Sequence, residues 1–209
     1  MNNLTFVHRF APGKEGSART LLLLHGTGGN ENDLLELAHA LDPNAAVLSP
    51  RGKVLENGAP RFFRRLAEGV FDEADVIERA RELADFVAAA VIHYKINFSN
   101  LVAVGYSNGA NIATAMILLG VATFPRAILF RPMIPLSHFD LNRLRARHTQ
   151  ILILAGEWDP IAEPPIAKKL AELLTVGEQD VALVVQPGVG HELTANDVSA
   201  ARQWLASQR

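Results

Sequence analysis

The stretch Gly105-Tyr106-Ser107-Asn108-Gly109 has a serine with a glycine two positions before it and another two positions after it. It stands where a strand-like segment meets a helix-like segment. It follows the apolar run 101–104, which is typical of a buried strand, and precedes the apolar, helix-like run 110–119. A serine at the apex of so tight a strand-to-helix turn has a strained backbone, and the residues two positions away must be small so that strand and helix can approach. The pattern therefore predicts a turn that lifts the Ser107 hydroxyl above a sheet, beside the first N–H groups of a helix. The alternative is an ordinary glycine-rich turn.

The rest of the chain alternates strand-like apolar runs with helix-like periodic runs. The predicted strands are mostly unbroken blocks of Leu, Ile, Val and Ala, at 4–10, 20–25, 45–49, 101–106, 127–131, 151–155 and 181–186. Unbroken apolar strands are typical of a parallel sheet that is covered on both faces. We therefore predict one α/β domain over residues 1–209, with a mostly parallel sheet between two helical layers.

Two local features refine this fold. A helix is predicted over 33–41, with Asn30 or Asn32 as its N-terminal cap and Pro43 beyond its end. The segment between the strand 127–131 and Gln150 is too short to form a separate cap domain. The predicted site is therefore fairly open.

The composition excludes several classes of function. The net charge is −2 and the chain has no cysteine, so we expect no nucleic-acid binding, no disulfide and no thiolate chemistry. We interpret the short basic run 61–65 as solvated surface. The N-terminus lacks the pattern of a signal peptide and no apolar run is long enough to span a bilayer, so we expect a cytoplasmic protein with no stable membrane insertion.

Residues 51–71 break the regular alternation, with three glycines, a proline, Phe62, Phe63 and nearby arginines. The segment follows the carboxyl end of a predicted strand, and this end of the strands faces the ligand crevice in open α/β sheets. We expect a long functional loop, with a short surface helix as the alternative.

A serine hydroxyl becomes a good nucleophile only when a base removes its proton, and an acid must orient that base. The best candidate base is His191, because it follows the last predicted strand through the flexible segment 187–190. His138 is the only rival, and His25 is expected to form hydrogen bonds within its loop below the site.

The best candidate acid is Asp159, which follows the carboxyl end of the strand 151–155 and lies between Ser107 and His191 in the chain. Glu157, two residues earlier on the same loop, is the nearest competitor. Asp180 begins a strand and therefore lies at the wrong edge of the sheet.

The developing oxyanion needs preorganised donors, and we assign the backbone N–H groups of Asn108 and Thr27 to this role. Thr27 lies in the glycine-rich loop 25–30 after the second strand. This loop does not match a dinucleotide-binding fingerprint, because Glu31 stands where the third glycine belongs. We expect neither an organic cofactor nor a metal.

Four motifs resemble the phospholipase/carboxylesterase family of α/β-hydrolases, which includes the acyl-protein thioesterases. They are the segments 24–33, 105–111, 156–161 and 190–193, and they occur in order over nearly the whole chain. Segments 50–58 and 61–65 resemble a bacterial subgroup linked to hydroquinone resistance. The resemblance implies the α/β-hydrolase fold and a serine carboxylesterase with Ser107, Asp159 and His191, and it alone suggests a homodimer.

The chain departs from the thioesterase pattern at two points: Asn108 stands in place of a glutamine, and Thr27-Gly28-Gly29 replaces the usual oxyanion loop. These departures favour small esters over protein depalmitoylation. Thioester hydrolysis, lysophospholipid hydrolysis, C–C bond hydrolysis and an inactive binding protein remain alternatives. The candidate pocket residues, each of which is alternatively plain core, are Phe62, Phe63, Met133, Ile134, Leu136 and Trp158.

Overall fold

A seven-stranded sheet forms the centre of the computed structural model, which describes residues 4–121 and 124–208. Its strands are β1 (His8–Ala11), β2 (Thr20–Leu24), β3 (Ala46–Pro50), β8 (Leu101–Tyr106), β9 (Arg126–Phe130), β10 (Gln150–Gly156) and β11 (Asp180–Gln186). The spatial order is β1-β3-β2-β8-β9-β10-β11. Only β1 runs antiparallel to its neighbour, so the mostly parallel sheet predicted from the unbroken apolar strands is confirmed.

Helices cover both faces of this sheet. They are α1 (Leu35–Leu41), α2 (Glu73–His93), α3 (Asn108–Leu118), α4 (Leu141–Arg145), α5 (Pro164–Val176) and α6 (Ala195–Ser207). The buried side chains of α2, α3 and α5 pack with alternate strand residues on one face. Those of α1 and α6 pack on the other face. This is the predicted three-layer α/β-hydrolase arrangement, which arises because each strand is apolar on both sides.

The N-terminal cap predicted for α1 is wrong. The Asn30 carboxamide oxygen accepts hydrogen bonds from the backbone and side chain of Asn32, within the preceding turn. The helix begins at Leu35, and its cap position Leu34 provides no side-chain hydrogen bond. A short polar side chain can accept hydrogen bonds within a turn instead of from the first N–H groups of a helix, and Asn30 does the former.

Residues 54–71 form two β-hairpins, so both the long loop and the surface helix expected there are wrong. The strands are β4 (Val54–Glu56) with β5 (Ala59–Arg61), and β6 (Arg65–Ala67) with β7 (Val70–Phe71). Asn57 and Gly58 connect the first pair with φ angles of 51° and 84°. An Asn-Gly pair is a strong signal for a two-residue hairpin turn, because both residues tolerate positive φ.

In the part of the chain that the structure describes, β3 is followed by the two hairpins, and the connection from β9 to β10 contains the short helix α4. No helix in this part of the chain combines the length and the apolar character needed to cross a membrane.

Candidate active site

The turn between β8 and α3 has the strained geometry that its sequence predicts. Ser107 has φ 51° and ψ −112°, a conformation that L-residues rarely adopt. A Cβ added at Gly109 would lie 1.9 Å from the Leu24 carbonyl oxygen, and one at Gly105 would lie 2.6 Å from the Gly109 oxygen. Glycine is therefore required at both positions so that β2, β8 and α3 can meet below the serine.

The structure brings Ser107, His191 and Asp159 together, although they are far apart in the chain. The His191 Nε2 lies 2.9 Å from the Ser107 Oγ, and the His191 Nδ1 lies 2.8 Å from the Asp159 Oδ2. Each residue follows the carboxyl end of a parallel strand, namely β8, β11 and β10, and these ends share one edge of the sheet.

Asp159 is held in a fixed orientation. Its side chain is fully buried, and its Oδ1 accepts hydrogen bonds from the backbone N–H groups of Ile161 and Ala162, each at 2.9 Å. The Oδ2 is thereby directed at the imidazole. The competitor Glu157 is exposed and instead accepts a hydrogen bond from the Gly188 N–H at 2.7 Å. His138 is exposed in its loop and has no hydrogen bond to Ser107.

The loop that carries His191 is held by a buried arginine that the sequence analysis did not identify. Arg131, at the end of β9, donates to the carbonyl oxygens of Gly190 at 3.0 Å and Glu192 at 2.7 Å, on either side of the histidine. Its guanidinium also forms a two-pronged ion pair with Asp197 in α6, at 2.9 Å and 2.7 Å, and both side chains are fully buried. Arg131 is therefore a positioning residue for the imidazole.

Tyr106 gives the same loop a second anchor. Its hydroxyl donates to the carbonyl oxygen of His191 at 3.1 Å, and its ring lies 5.6 Å from the imidazole. Burial raises the pKa of this phenol, which therefore remains neutral and able to donate.

The two assigned oxyanion donors lie at the cleft. Thr27 and Asn108 both line it, and within residues 4–121 and 124–208 no acceptor is present for the backbone N–H of either residue. The loop of Thr27 is braced by His25, whose Nδ1 contacts the Gly26 oxygen at 2.7 Å and whose Nε2 accepts from the Gly52 N–H at 3.0 Å. Burial lowers the pKa of His25, so the neutral ring that these contacts require is favoured.

The Asn108 side chain connects the serine turn to the first hairpin. Its Oδ1 accepts a hydrogen bond from the Phe62 N–H at 2.7 Å, and its Nδ2 is buried without a partner among the described residues. This contact helps to bury the start of the basic run 61–65, which the sequence predicts to be exposed. Arg61, Phe62 and Phe63 are 2 %, 2 % and 0 % exposed, so the interpretation of the run 61–65 as solvated surface is wrong for its first three residues.

The cleft above Ser107 measures about 300 Å³, counting the space open to solvent. Its other walls come from the two hairpins, α3 and the strand-end loops: Thr27, Arg61, Arg65, Glu68, Gly69, Phe71, Asn108, Asn111, Met133 and Ile161.

Of the six predicted pocket residues, only Met133 lines this cleft. Ile134 and Leu136 line a neighbouring groove beside the second hairpin. Trp158 is 71 % exposed and lies beside Gly188. The buried rings of Phe62 and Phe63 belong to the hydrophobic core, where Phe63 packs edge-on against Phe71 at 5.2 Å.

The fold is shared with known proteins. The family model described as phospholipase/carboxylesterase matches residues 8–208. The putative hydrolase MhqD of Bacillus subtilis is 44 % identical over 91 % of this chain and 94 % of its own length.

Solved structures agree with that match. The Bacillus cereus carboxylesterase superposes with a TM-score of 0.91 and 45 % identity, over 98 % of this chain and 95 % of the other. A structure of YahD with malic acid superposes with a TM-score of 0.87 and 29 % identity, over 98 % of this chain and all of the other. The family expected from the four sequence motifs is thus confirmed, and the chain belongs to the phospholipase/carboxylesterase family of α/β-hydrolases.

Proposed function

We propose that this protein is a serine carboxylesterase that hydrolyses small carboxylic esters through an acyl-enzyme on Ser107. The observation that carries the proposal is the unbroken chain of contacts from the Ser107 Oγ through the His191 ring to the buried Asp159 carboxylate, at 2.9 Å and 2.8 Å. A nucleophile, a base and an orienting acid in this order are the arrangement that activates a serine.

In the acylation step, the Ser107 oxygen attacks the ester carbonyl while His191 Nε2 takes the hydroxyl proton. Asp159 accepts the Nδ1–H hydrogen bond, which holds the ring and stabilises the imidazolium. The N–H groups of Thr27 and Asn108 bind the tetrahedral oxyanion. His191 then returns the proton to the leaving alcohol.

In the second half-reaction, water takes the place of the alcohol. His191 removes a proton from the water as it attacks the acyl carbonyl, and then protonates the Ser107 oxygen as it leaves. The products are a carboxylic acid and an alcohol, and the chain's own groups supply every proton transfer.

Three features support small substrates. The cleft is small, its lining includes the charged or polar side chains of Arg61, Arg65 and Asn111, and the hairpins close one side of it. The relative YahD was solved with malic acid, a short dicarboxylic acid, which is in keeping with a small polar ligand. A homodimer and a cytoplasmic location remain part of the proposal.

The test is hydrolysis of p-nitrophenyl acetate by wild-type protein, Ser107→Ala and Ser99→Ala. Ser99 is exposed and its hydroxyl forms no hydrogen bond among the described residues, so its variant is a matched control. We expect Ser107→Ala to lower kcat by about a million-fold, the loss known for removal of a catalytic serine, and Ser99→Ala to leave it unchanged. Near-wild-type turnover by Ser107→Ala would refute the proposal.

A further inference from the structure

Arg61 lies in the wall of the cleft and is more deeply buried than is usual for an arginine. The Arg61 side chain is 3 % exposed, yet it lines the same narrow cleft as Ser107. Burying a guanidinium is costly unless its charge and its donors are all satisfied. Burial lowers the pKa of Arg61, and the nearby Glu56 opposes this only in part.

The protein provides hydrogen-bond acceptors for only some of the N–H groups of this guanidinium. Its Nε donates to the Phe63 carbonyl oxygen at 3.1 Å and lies 3.3 Å from Glu56, and its Nη1 donates to the Thr27 hydroxyl at 2.6 Å. Among the described residues, Nη2 has no acceptor. An arginine has five N–H donors in a planar fork, and the two on Nη2 are left without a protein acceptor in the described part of the chain.

The hairpin wall carries two arginines and two glutamates, but only one of the glutamates pairs with the arginines. Arg65, the second arginine of the cleft, contacts both oxygens of Glu56, at 2.9 Å and 3.1 Å from its Nε. One carboxylate therefore serves two guanidiniums, and the closer contacts go to Arg65. Glu68 also lines the cleft, but it is exposed on the second hairpin and has no ion pair among the described residues, so water screens its charge.

We propose that this cleft selects short esters that carry a carboxylate, and that Arg61 is the residue that binds it. The inference rests on the proposed function and names its substrate class. A carboxylate is a strong acceptor for the free N–H groups of a guanidinium, because the hydrogen bond joins opposite charges. Because Arg61 and Ser107 share one small cleft, only a few carbon atoms separate the carboxylate from the reacting carbonyl, as in a half-ester of a short dicarboxylic acid.

Two ester substrates of nearly equal size, one with a carboxylate and one without, measure the effect of the carboxylate charge alone. Monoethyl succinate carries a carboxylate where ethyl levulinate carries a methyl ketone, and release of ethanol measures both reactions. We expect kcat/KM of the wild-type protein to be about tenfold or more higher for monoethyl succinate, the size of effect known for hydrogen bonds to charged groups.

The variant Arg61→Met should abolish this preference. Arg61 also holds Thr27, so its loss lowers turnover of both esters if the oxyanion loop moves, but only the loss of carboxylate binding changes their ratio. Arg64→Gln is the matched control, because Arg64 lies on the same segment, is 62 % exposed and pairs with Asp72 and Asp75 outside the cleft. It should keep the wild-type ratio, and Glu68→Gln should raise the ratio about twofold, as expected for loss of a screened like charge.

A measurement on wild-type protein keeps the inference testable if Arg61→Met does not fold. Succinate should inhibit hydrolysis of p-nitrophenyl acetate competitively, and the neutral succinamide should not. A succinate-to-levulinate ratio near one, an unchanged ratio in folded Arg61→Met, or equal inhibition by succinate and succinamide would each overturn the carboxylate inference. If no ester is hydrolysed at all, the proposed esterase function fails instead.

Discussion

The two sides of the cleft are built differently. On one side, the loops after β8, β10 and β11 hold Ser107, Asp159 and His191 against the parallel sheet through buried backbone and side-chain contacts. On the other side, the partly exposed Glu56 of the first hairpin forms ion pairs with Arg61 of the same hairpin and with Arg65 of the second hairpin. The comparison teaches that the ion pair behind the His191 loop is fully buried, whereas the ion pairs of the opposite wall share a carboxylate that water reaches.

The largest effect should come from breaking the buried clamp on the His191 side, namely the ion pair of Arg131 with Asp197. Arg131→Met leaves the Asp197 carboxylate buried without its cation, and removal of one partner from such a pair costs about 3–5 kcal/mol. We expect the free energy of unfolding in urea to fall by that amount. We also expect kcat of the folded fraction to fall, because the carbonyl groups beside His191 lose their anchor.

The double variant Arg131→Met/Asp197→Asn is the control for this experiment. Asparagine keeps an oxygen for the Thr194 N–H at the start of α6 but removes the unpaired charge. It should recover part of the lost stability without recovering turnover. Equal losses in stability from the single and double variants would contradict the assignment of the cost to a buried charge.

An intermediate effect is expected at His25, which accepts a hydrogen bond from the Gly52 N–H just before the first hairpin. Burial lowers its pKa below the value of about 6.5 that it has in the unfolded chain, so the unfolded state binds more protons in acid. Its contribution to stability is therefore complete above pH 6.5 and is lost as the pH falls from there toward the lowered pKa. Urea unfolding at pH 7.5 and 5.5 measures this loss.

His25→Gln should be less stable than wild type at pH 7.5 and should show a smaller decrease in stability between the two pH values. The exposed His138 provides the control, and His138→Gln should keep the wild-type pH dependence. A wild-type pH dependence in His25→Gln would show that another group titrates.

The smallest effect on stability is expected on the hairpin side. Glu56→Gln removes the carboxylate shared by Arg61 and Arg65, but its side chain is 31 % exposed and partly exposed pairs contribute about 1 kcal/mol or less. Thermal and urea unfolding should change little, while the succinate-to-levulinate ratio should rise. A loss of stability as large as that of Arg131→Met would remove the contrast between the two sides of the cleft.

The sequence predicts the sheet and the serine turn well because both depend on local patterns. The central strands are unbroken apolar runs, and the Gly105 and Gly109 constraint lies within five residues. His191 and Asp159 could be placed because the ends of parallel strands share one edge of the sheet. The first hairpin has a local signal in Asn57-Gly58, a pair that is typical of a two-residue turn.

The ion pair of Arg131 with Asp197 and the burial of Arg61 could not be predicted from local sequence patterns. Arg131 and Asp197 are 66 positions apart, and nothing near either residue indicates its partner. Arg61 stands in a basic run that locally resembles exposed surface, and its burial arises from contacts with Thr27 and with the core. Long-range pairs of charged residues therefore mark the limit of prediction from the sequence for this site.

The most direct test of the reaction centre is to trap it covalently. A fluorophosphonate should react with the folded wild-type protein, and peptide mass mapping should find the adduct on Ser107 and on no other residue. His191→Ala should react far more slowly although Ser107 is still present. An adduct on a different residue, or equal labelling of wild type and His191→Ala, would contradict the activation of Ser107 by His191.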